Sequence, residues 1–454
     1  MRHILLFLFI GTSIFFSCKK TITEPTDPTS PTKDSTVTVV PPVITPAKYE
    51  KEDTWIYQQM KKYYLWESQM PEEKNTNKNL APEDYYRSIL IKVGDFDRVS
   101  IMKLKADELI GQLSGNQNSY GFKYIKYQAD PTSPNIKLAV SLVFKDSPAQ
   151  KAGIERGDII DKINNTSLTV SNVDALLELN AATFEVSHVN SSGKAEPSLK
   201  VNLQKVLFQQ NPIPHFSLHQ VGTKKVGYLV YTQFQPLFDN DLRNAFLLFK
   251  LQKIDEFILD LRFNPGGFTP SAEVLGSLIV PNLKPGSEMF HGICNASQTS
   301  KPYNPTDPST YRGFVAEANN INLPRIYILT SHATSSSAEL VINSLKPFME
   351  VILVGDNTYG KNVISTVITD ETGVQPFGLL PAWCQIFNIK GESNYGTKDG
   401  FIPNKKVLDD VMPLRPFGHP EETYFKAAMD LIAKNYGLRK MADDGNFKKV
   451  KIVD

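Results

Sequence analysis

An α/β multidomain fold is predicted for this chain, and three features of the sequence predict it. From Val206 to Leu438, apolar runs of strand length alternate with stretches of helical periodicity, the pattern of a parallel sheet layered with helices. From Gly111 to Lys205 the pattern changes to short alternating strands broken by turn residues, which marks a β-domain ahead of that core. At 454 residues the chain has room for two or three domains of roughly 100–200 residues each.

Hydrophobic residues make up 41% and charged residues 21%, the balance of a globular protein. The formal net charge is +1 and no basic stripe is present, so nucleic acid is not an expected partner. There is no Cys-x-x-Cys and no His/Cys cluster at metal-ligand spacing, so no cofactor is expected.

Residues 1–17 read as a signal peptide. Arg2 and His3 precede an apolar run, Ile4 to Phe16, that is short for a membrane span. The run ends in Phe15-Phe16-Ser17-Cys18, which resembles the lipobox of bacterial lipoproteins. That resemblance implies cleavage before Cys18, lipidation of the cysteine, and a cell-envelope protein anchored to the outer membrane or the periplasmic face. Residues 18–48 are rich in Thr, Pro, Ser and Asp, cannot bury apolar surface, and read as a tether. An oxidising envelope would permit Cys294 and Cys384 to pair, but nothing in the sequence brings them close, and two separate thiols are expected.

Residues 49–110 read as a helical segment. Trp55, Met60, Tyr63 and Tyr64 recur at helical spacing, and a second helix is expected to start near Pro82 and Glu83. Residues 111–205 form the β-domain. Within it, Ser147 caps a short helix with Pro148 in its first turn, Gly153 ends it, and a turn at Gly157-Asp158 leads into a strand. The run Asp146-Ser147-Pro148-Ala149-Gln150-Lys151-Ala152-Gly153-Ile154, followed by Arg156-Gly157-Asp158-Ile159-Ile160, resembles a PDZ domain of bacterial proteases. The resemblance implies capture of an extended peptide end by strand addition, with Tyr120-Gly121-Phe122 as the carboxylate-binding loop. Residues 206–438 hold the α/β core, and residues 439–454 read as a polar, frayed tail.

Three strand-to-loop junctions in the core carry the chemistry. The first is the strand Phe257-Ile258-Leu259-Asp260-Leu261, then Arg262-Phe263-Asn264-Pro265-Gly266-Gly267. The second is Ile326 to Thr330, then a loop ending at Ser335-Ser336, then a helix from Ser337 to Leu345 stopped by Pro347. The third is Val351 to Gly355, then Asp356-Asn357-Thr358-Tyr359-Gly360-Lys361. Loops that follow parallel strands gather at one edge of the sheet. Ser336 and Lys361 are 361 − 336 = 25 residues apart, enough for one helix and one returning strand.

A serine hydroxyl needs a base to act as a nucleophile. Lysine can serve once burial has lowered its pKa, and Tyr359 and Phe257 are candidates for the apolar setting. Ser336 stands at a helix start, where backbone N–H groups favour developing negative charge. The amides of Gly266, Gly267 and Ser337 are the candidate oxyanion donors. The rival is a Ser-His-Asp triad drawing on His332, His215, His219 or His291, none of which sits in a recognisable triad setting.

Asp260-Leu261-Arg262-Phe263-Asn264-Pro265-Gly266-Gly267, Ser336-Ser337-Ala338-Glu339 and Thr358-Tyr359-Gly360-Lys361 together resemble the C-terminal processing peptidases, the tail-specific proteases of the S41 family. The helical cap, with Tyr64-Leu65-Trp66 and Asp97-Arg98-Val99-Ser100, and Gly400-Phe401-Ile402-Pro403-Asn404 extend the resemblance over most of the chain. It implies a ClpP/crotonase-like catalytic core with an inserted PDZ domain, a Ser336/Lys361 dyad, and protein or peptide substrates with free C-terminal tails. Glu339 selects Ser336 among three adjacent serines, and Asp260, Arg262 and Glu339 are expected to form one supporting polar network. Two positions depart from relatives. Pro347 stands where some carry an aspartate, and Ser365 where others carry a glutamine that orients the lysine. The alternative is a catalytically impaired envelope lipoprotein that binds peptides or other polymers on the same fold.

Overall fold

The computed structural model describes residues 48–91, 97–190, 194–438 and 448–453. The expected signal peptide, Cys18 and nearly all of the expected tether lie outside the described residues.

Helix α1 (Glu50–Tyr63) carries Glu50, Glu52 and Asp53 in its first turn and Lys61 and Lys62 in its last, matching the helix dipole. It buries Ile56, Tyr57 and Met60. Helix α2 (Pro82–Ile89) starts on Pro82, whose missing N–H costs nothing there, and packs Tyr85, Tyr86 and Ile89 against α1. Helix α3 (Ala106–Ser114) ends at Gly115, which takes a left-handed φ of 72°.

The β-domain follows. It runs β1 (Phe122–Gln128), β2 (Lys137–Val143), α4 (Pro148–Lys151), β3 (Ile159–Ile163), α5 (Val173–Glu178), β4 (Ala181–Ser187) and β5 (Leu199–Gln204). The strands pair antiparallel in the order β1-β2-β3-β4-β5. Ser147 caps α4 by accepting the Gln150 N–H at 3.1 Å, the role its sequence context assigns. Leu138, Val140, Ile160, Ile163, Phe184 and Val186 form the domain's core.

The α/β core contains β6 (His215–Val221), β7 (Lys224–Val230), α6 (Asp239–Gln252), β8 (Glu256–Asp260), α7 (Thr269–Ile279) and β9 (Glu288–Cys294). It continues with β10 (Arg325–Thr330), α8 (Ser337–Leu345), β11 (Glu350–Gly355), β12 (Ala382–Asn388), β13 (Lys405–Lys406) and α9 (Thr423–Asn435). Six strands form the central sheet in the order β6-β7-β8-β10-β11-β13. Only β6 and β7 pair antiparallel; the other neighbours are parallel. Every residue of β8 is buried, as a strand covered on both faces must be. Phe257 and Leu259 point to the layer of α6, α7 and α8, while Ile258 points to α9 with Phe425, Met429 and Ile432. Each such fully buried side chain contributes about 1.5–3 kcal/mol.

Two expectations change here. Cys294 and Cys384 are disulfide-bonded, not separate thiols. They face each other across the antiparallel pair β9–β12, a register between strands 90 residues apart that no local pattern encodes. The second concerns the tail. Residues 448–453 are not frayed: Lys448–Lys449 pairs with Val411–Met412, and β14 (Lys451–Ile452) pairs with β1. The edge of β1 supplies unpaired backbone groups, and Val450 and Val453 supply apolar side chains.

Candidate active site

The three junctions meet at the carboxyl edge of the central sheet, beyond β8, β10 and β11. Asn264 fixes the first loop. Its Nδ2 donates to the Tyr231 carbonyl at 2.9 Å, and its Oδ1 accepts the Gly266 N–H at 2.8 Å. The loop then passes so close to its neighbours that side chains are excluded. A Cβ on Gly266 would stand 2.7 Å from the Ser336 Cβ, and one on Gly267 would stand 2.2 Å from the Phe234 carbonyl oxygen. Both glycines also hold positive φ, 103° and 138°.

Ser336 is the N-cap of α8 and sits at φ 55°, ψ −117°. This conformation is strained for any residue but glycine, and such strain persists only where surrounding contacts enforce it. The Glu339 carboxylate provides that enforcement. It accepts the Ser336 N–H at 3.1 Å, the Lys361 N–H and the Gly360 N–H at 2.7 Å each, and the Thr358 hydroxyl. Burial pushes the Glu339 carboxyl up, and these four donors hold it down. Glu339 therefore joins the serine turn directly to the lysine loop.

Ser336 and Lys361 line one cavity of about 250 Å3, together with Gly267, Ser337 and Ser365. Its apolar wall comes from Leu113, Phe268, Ile364, Val367 and Leu380. The Lys361 side chain reaches the cavity through surrounding protein, and burial pulls its ammonium down to about 8, with Asp97 and Glu339 pulling the other way. Ser336 Oγ and Lys361 Nζ share the cavity without a direct hydrogen bond. Among the described residues buried Ser365 Oγ has no hydrogen-bond partner, so it does not hold the amine. Phe257 does not contribute to the lysine's surroundings: it packs in the core with Phe246 and Phe249.

The oxyanion candidates separate on inspection of their amides. The Gly266 N–H is committed to Asn264, so Gly266 is corrected to a spacing residue. Among the described residues the N–H groups of Gly267 and Ser337 have no protein acceptor. Ser337 Oγ donates to the Gly267 carbonyl at 2.8 Å and aligns the two. The expected single network of Asp260, Arg262 and Glu339 is in fact two. The Arg262 guanidinium binds Asp260 at 2.6 Å and Glu422 at 2.8 Å, and the Tyr228 hydroxyl donates to Asp260 at 2.8 Å. Glu422 also binds Arg156 of the β-domain at 3.0 Å. Glu422 escaped sequence reasoning because it lies 160 residues from Arg262; Arg156, in the Glu-Arg-Gly-Asp turn, was the only local signal.

The histidines belong elsewhere. His215 and His219 both bond Ser217, His291 bonds Glu288, and His332 lies exposed beside the Tyr359 ring. In the β-domain, Tyr120 is buried and its carbonyl accepts the Ala149 N–H. Gly121, at φ 89°, packs on Ser147, and its N–H donates to Ser119 Oγ at 2.8 Å. Phe122 opens β1 and meets Phe184 edge-on. Lys123 of the same strand donates to the Phe263 carbonyl, in the loop that leads to the glycines.

A strained, helix-capping serine beside free backbone amides, on an α/β core with a β-domain ahead of it, defines the class of serine peptidases. The comparisons with known proteins agree. A model of peptidase family S41 matches residues 225–375, one of the S41 N-terminal domain matches 51–100, and one of the PDZ domain matches 140–186. The chain thus contains an S41 peptidase region, an S41 N-terminal region and a PDZ region. It is 28% identical over 247 residues to carboxyl-terminal-processing peptidase 1 of Arabidopsis thaliana chloroplasts, covering 53% of this chain and 47% of that one. The chain thus matches less than half the length of that relative. It is 24% identical over 403 residues to a CtpA-like serine protease of Staphylococcus aureus, covering 84% of this chain and 72% of the other. An S41-type protein from Bacteroides fragilis superposes with a TM-score of 0.70 at 26% identity, over 84% of this chain and 97% of its own.

Proposed function

We propose that this chain is a cell-envelope serine endopeptidase that cleaves proteins whose unstructured C-terminal tails its PDZ domain captures. The observation that carries the reading is the convergence of Ser336, Lys361 and the free amides of Gly267 and Ser337 on one cavity. Neutral Lys361 takes the Ser336 hydroxyl proton as Oγ bonds the scissile carbonyl carbon. The carbonyl oxygen becomes an oxyanion and receives the Gly267 and Ser337 N–H groups, at the positive end of α8. The Lys361 ammonium returns its proton to the leaving amine, which departs and leaves an acyl-serine. Water, losing a proton to the same lysine, then hydrolyses the ester.

Lys361 Nζ and Ser336 Oγ must close into a hydrogen bond for the first step, and substrate entering the cavity is the agent that closes it. The apolar wall suits an aliphatic side chain next to the cleaved bond. The disulfide fits an oxidising compartment, in line with the signal peptide and lipid anchor at Cys18.

The test offers an unfolded protein with an apolar C-terminal tail to the chain and to Ser336→Ala and Lys361→Ala. Cleavage by the unaltered chain and loss in both variants is expected. A variant that cuts as fast as the unaltered chain removes its residue from the mechanism; no cleavage by any of them favours the peptide-binding alternative.

A further inference from the structure

We propose that residues Val450–Val453 are a resident ligand of the peptide-binding edge of the PDZ domain, and that a long substrate tail must displace them. The proposal rests on the reading of that domain as a tail-binding module.

Strand β1 pairs with β2 on one side, and its other edge is occupied by the chain itself. Lys451 lies opposite Gln128 and Ile452 opposite Tyr127, antiparallel, and the Val453 N–H donates to the Lys126 carbonyl at 3.0 Å. Val453 packs against the core of the β-domain, as do Phe122 and Tyr124 of β1 and Leu176 and Leu177 of α5. Lys126 Nζ binds Asp174 of α5 at 3.0 Å, so strand and helix flank one groove. Backbone pairing along a strand edge with alternate side chains seated on a helix is the chemistry by which such a domain holds an extended peptide.

Direction and register make the occupancy specific. Being antiparallel, the segment runs toward Phe122, the course a tail captured by Tyr120-Gly121-Phe122 has to take. Continuing the observed pairing places Val453 at Lys126, and among the described residues none pairs with the outer edge of β1 from Phe122 to Ile125. At ~3.3 Å per residue a tail of about four residues fits beside Val453, and a longer one meets it. The segment is also held from behind. The Val450 N–H donates to the Asp410 carbonyl at 2.8 Å, and Lys448–Lys449 pairs with Val411–Met412. One short stretch of chain therefore pairs with both domains, and a tail that strips it from β1 removes a tie between them.

Competition lowers the apparent affinity for a long tail by the fraction of molecules whose edge is open. The segment is tethered, so its effective concentration at the edge is high. The measurement is fluorescence anisotropy with labelled unstructured peptides of ten and of four residues that end in the same apolar residue. The proteins are the Ser336→Ala chain, the same chain ending at Leu438, and the same chain with Val453→Pro. The proline removes the hydrogen bond to Lys126 and leaves the length unchanged, so it stands if the shortened chain fails to fold. The expected result is ten-residue binding tightened ~10-fold in both variants, with four-residue binding unchanged. Equal ten-residue affinity in all three proteins, or weaker binding in the variants, overturns the competition and leaves tail capture intact. No binding of either peptide to any of them overturns tail capture and the competition with it.

Discussion

The Glu339 carboxylate accepts the backbone N–H of Lys361 at 2.7 Å, and the same oxygen accepts the N–H of Ser336 at 3.1 Å. The proposed base and nucleophile, 25 residues apart, are thus spaced by a side chain that need touch no substrate. A misplacement of ~1 Å at a reacting pair costs on the order of 100-fold in rate. Glu339→Gln should lower kcat by about that factor with little change in KM, because an amide NH2 cannot accept from all the donors. Glu339→Ala should also destabilise by about 3 kcal/mol, read by urea unfolding, since buried donors lose their acceptor. Unchanged kcat in both variants would remove Glu339 from this role.

The proposed role of Lys361 as base carries a pH dependence. Its ammonium is pulled down to about 8 by burial, so the neutral form needed as a base appears above that pH. A kcat/KM profile rising through an apparent pKa near 8 is expected, and a flat profile from pH 6 to 10 would contradict lysine as the base.

The same shift is a statement about stability. The lysine's folded value lies below its unfolded value of 10.5, so between about 8 and 10.5 the unfolded chain binds more protons. Stability should rise with pH across that window from this group. Lys361→Met should abolish activity, raise Tm at pH 7 by removing a desolvated charge, and flatten the slope.

Gly267→Ala should cost at least ~100-fold in kcat, since its Cβ would collide with the Phe234 carbonyl and turn away the proposed oxyanion donor. Steady-state kinetics on a folded variant, checked by circular dichroism, decides it.

Cys294→Ser with Cys384→Ser should lower stability by about 2–4 kcal/mol, through the longer reach of the unfolded chain. A reductant should lower the Tm of the unaltered protein and leave that of the double variant unchanged.

Much of this protein is legible along the chain because its signals are local. The helix from Ser337 to Leu345 is bounded by its own capping serine and by Pro347. The bend at Gly266 and Gly267 shows as paired glycines after a buried strand, because only residues without a Cβ pass that close to Ser336 and Phe234. What the chain does not display lies in side-chain rotamers and in contacts between distant segments. The amide of Gly266 is taken by Asn264 through a side-chain rotamer that no spacing shows.

The order of strands and helices can be read along the chain, and with it the return of the segment bearing Lys361 one helix and one strand after Ser336. Periodicity, capping and turn chemistry act over a few residues and are written in order. The meeting of Cys294 with Cys384, the joining of Arg262 to Arg156 by Glu422 and the seating of Val453 on β1 arise in three dimensions alone. Those pairings depend on which faces and edges are left over once each domain has packed, and a one-dimensional pattern holds no record of that remainder.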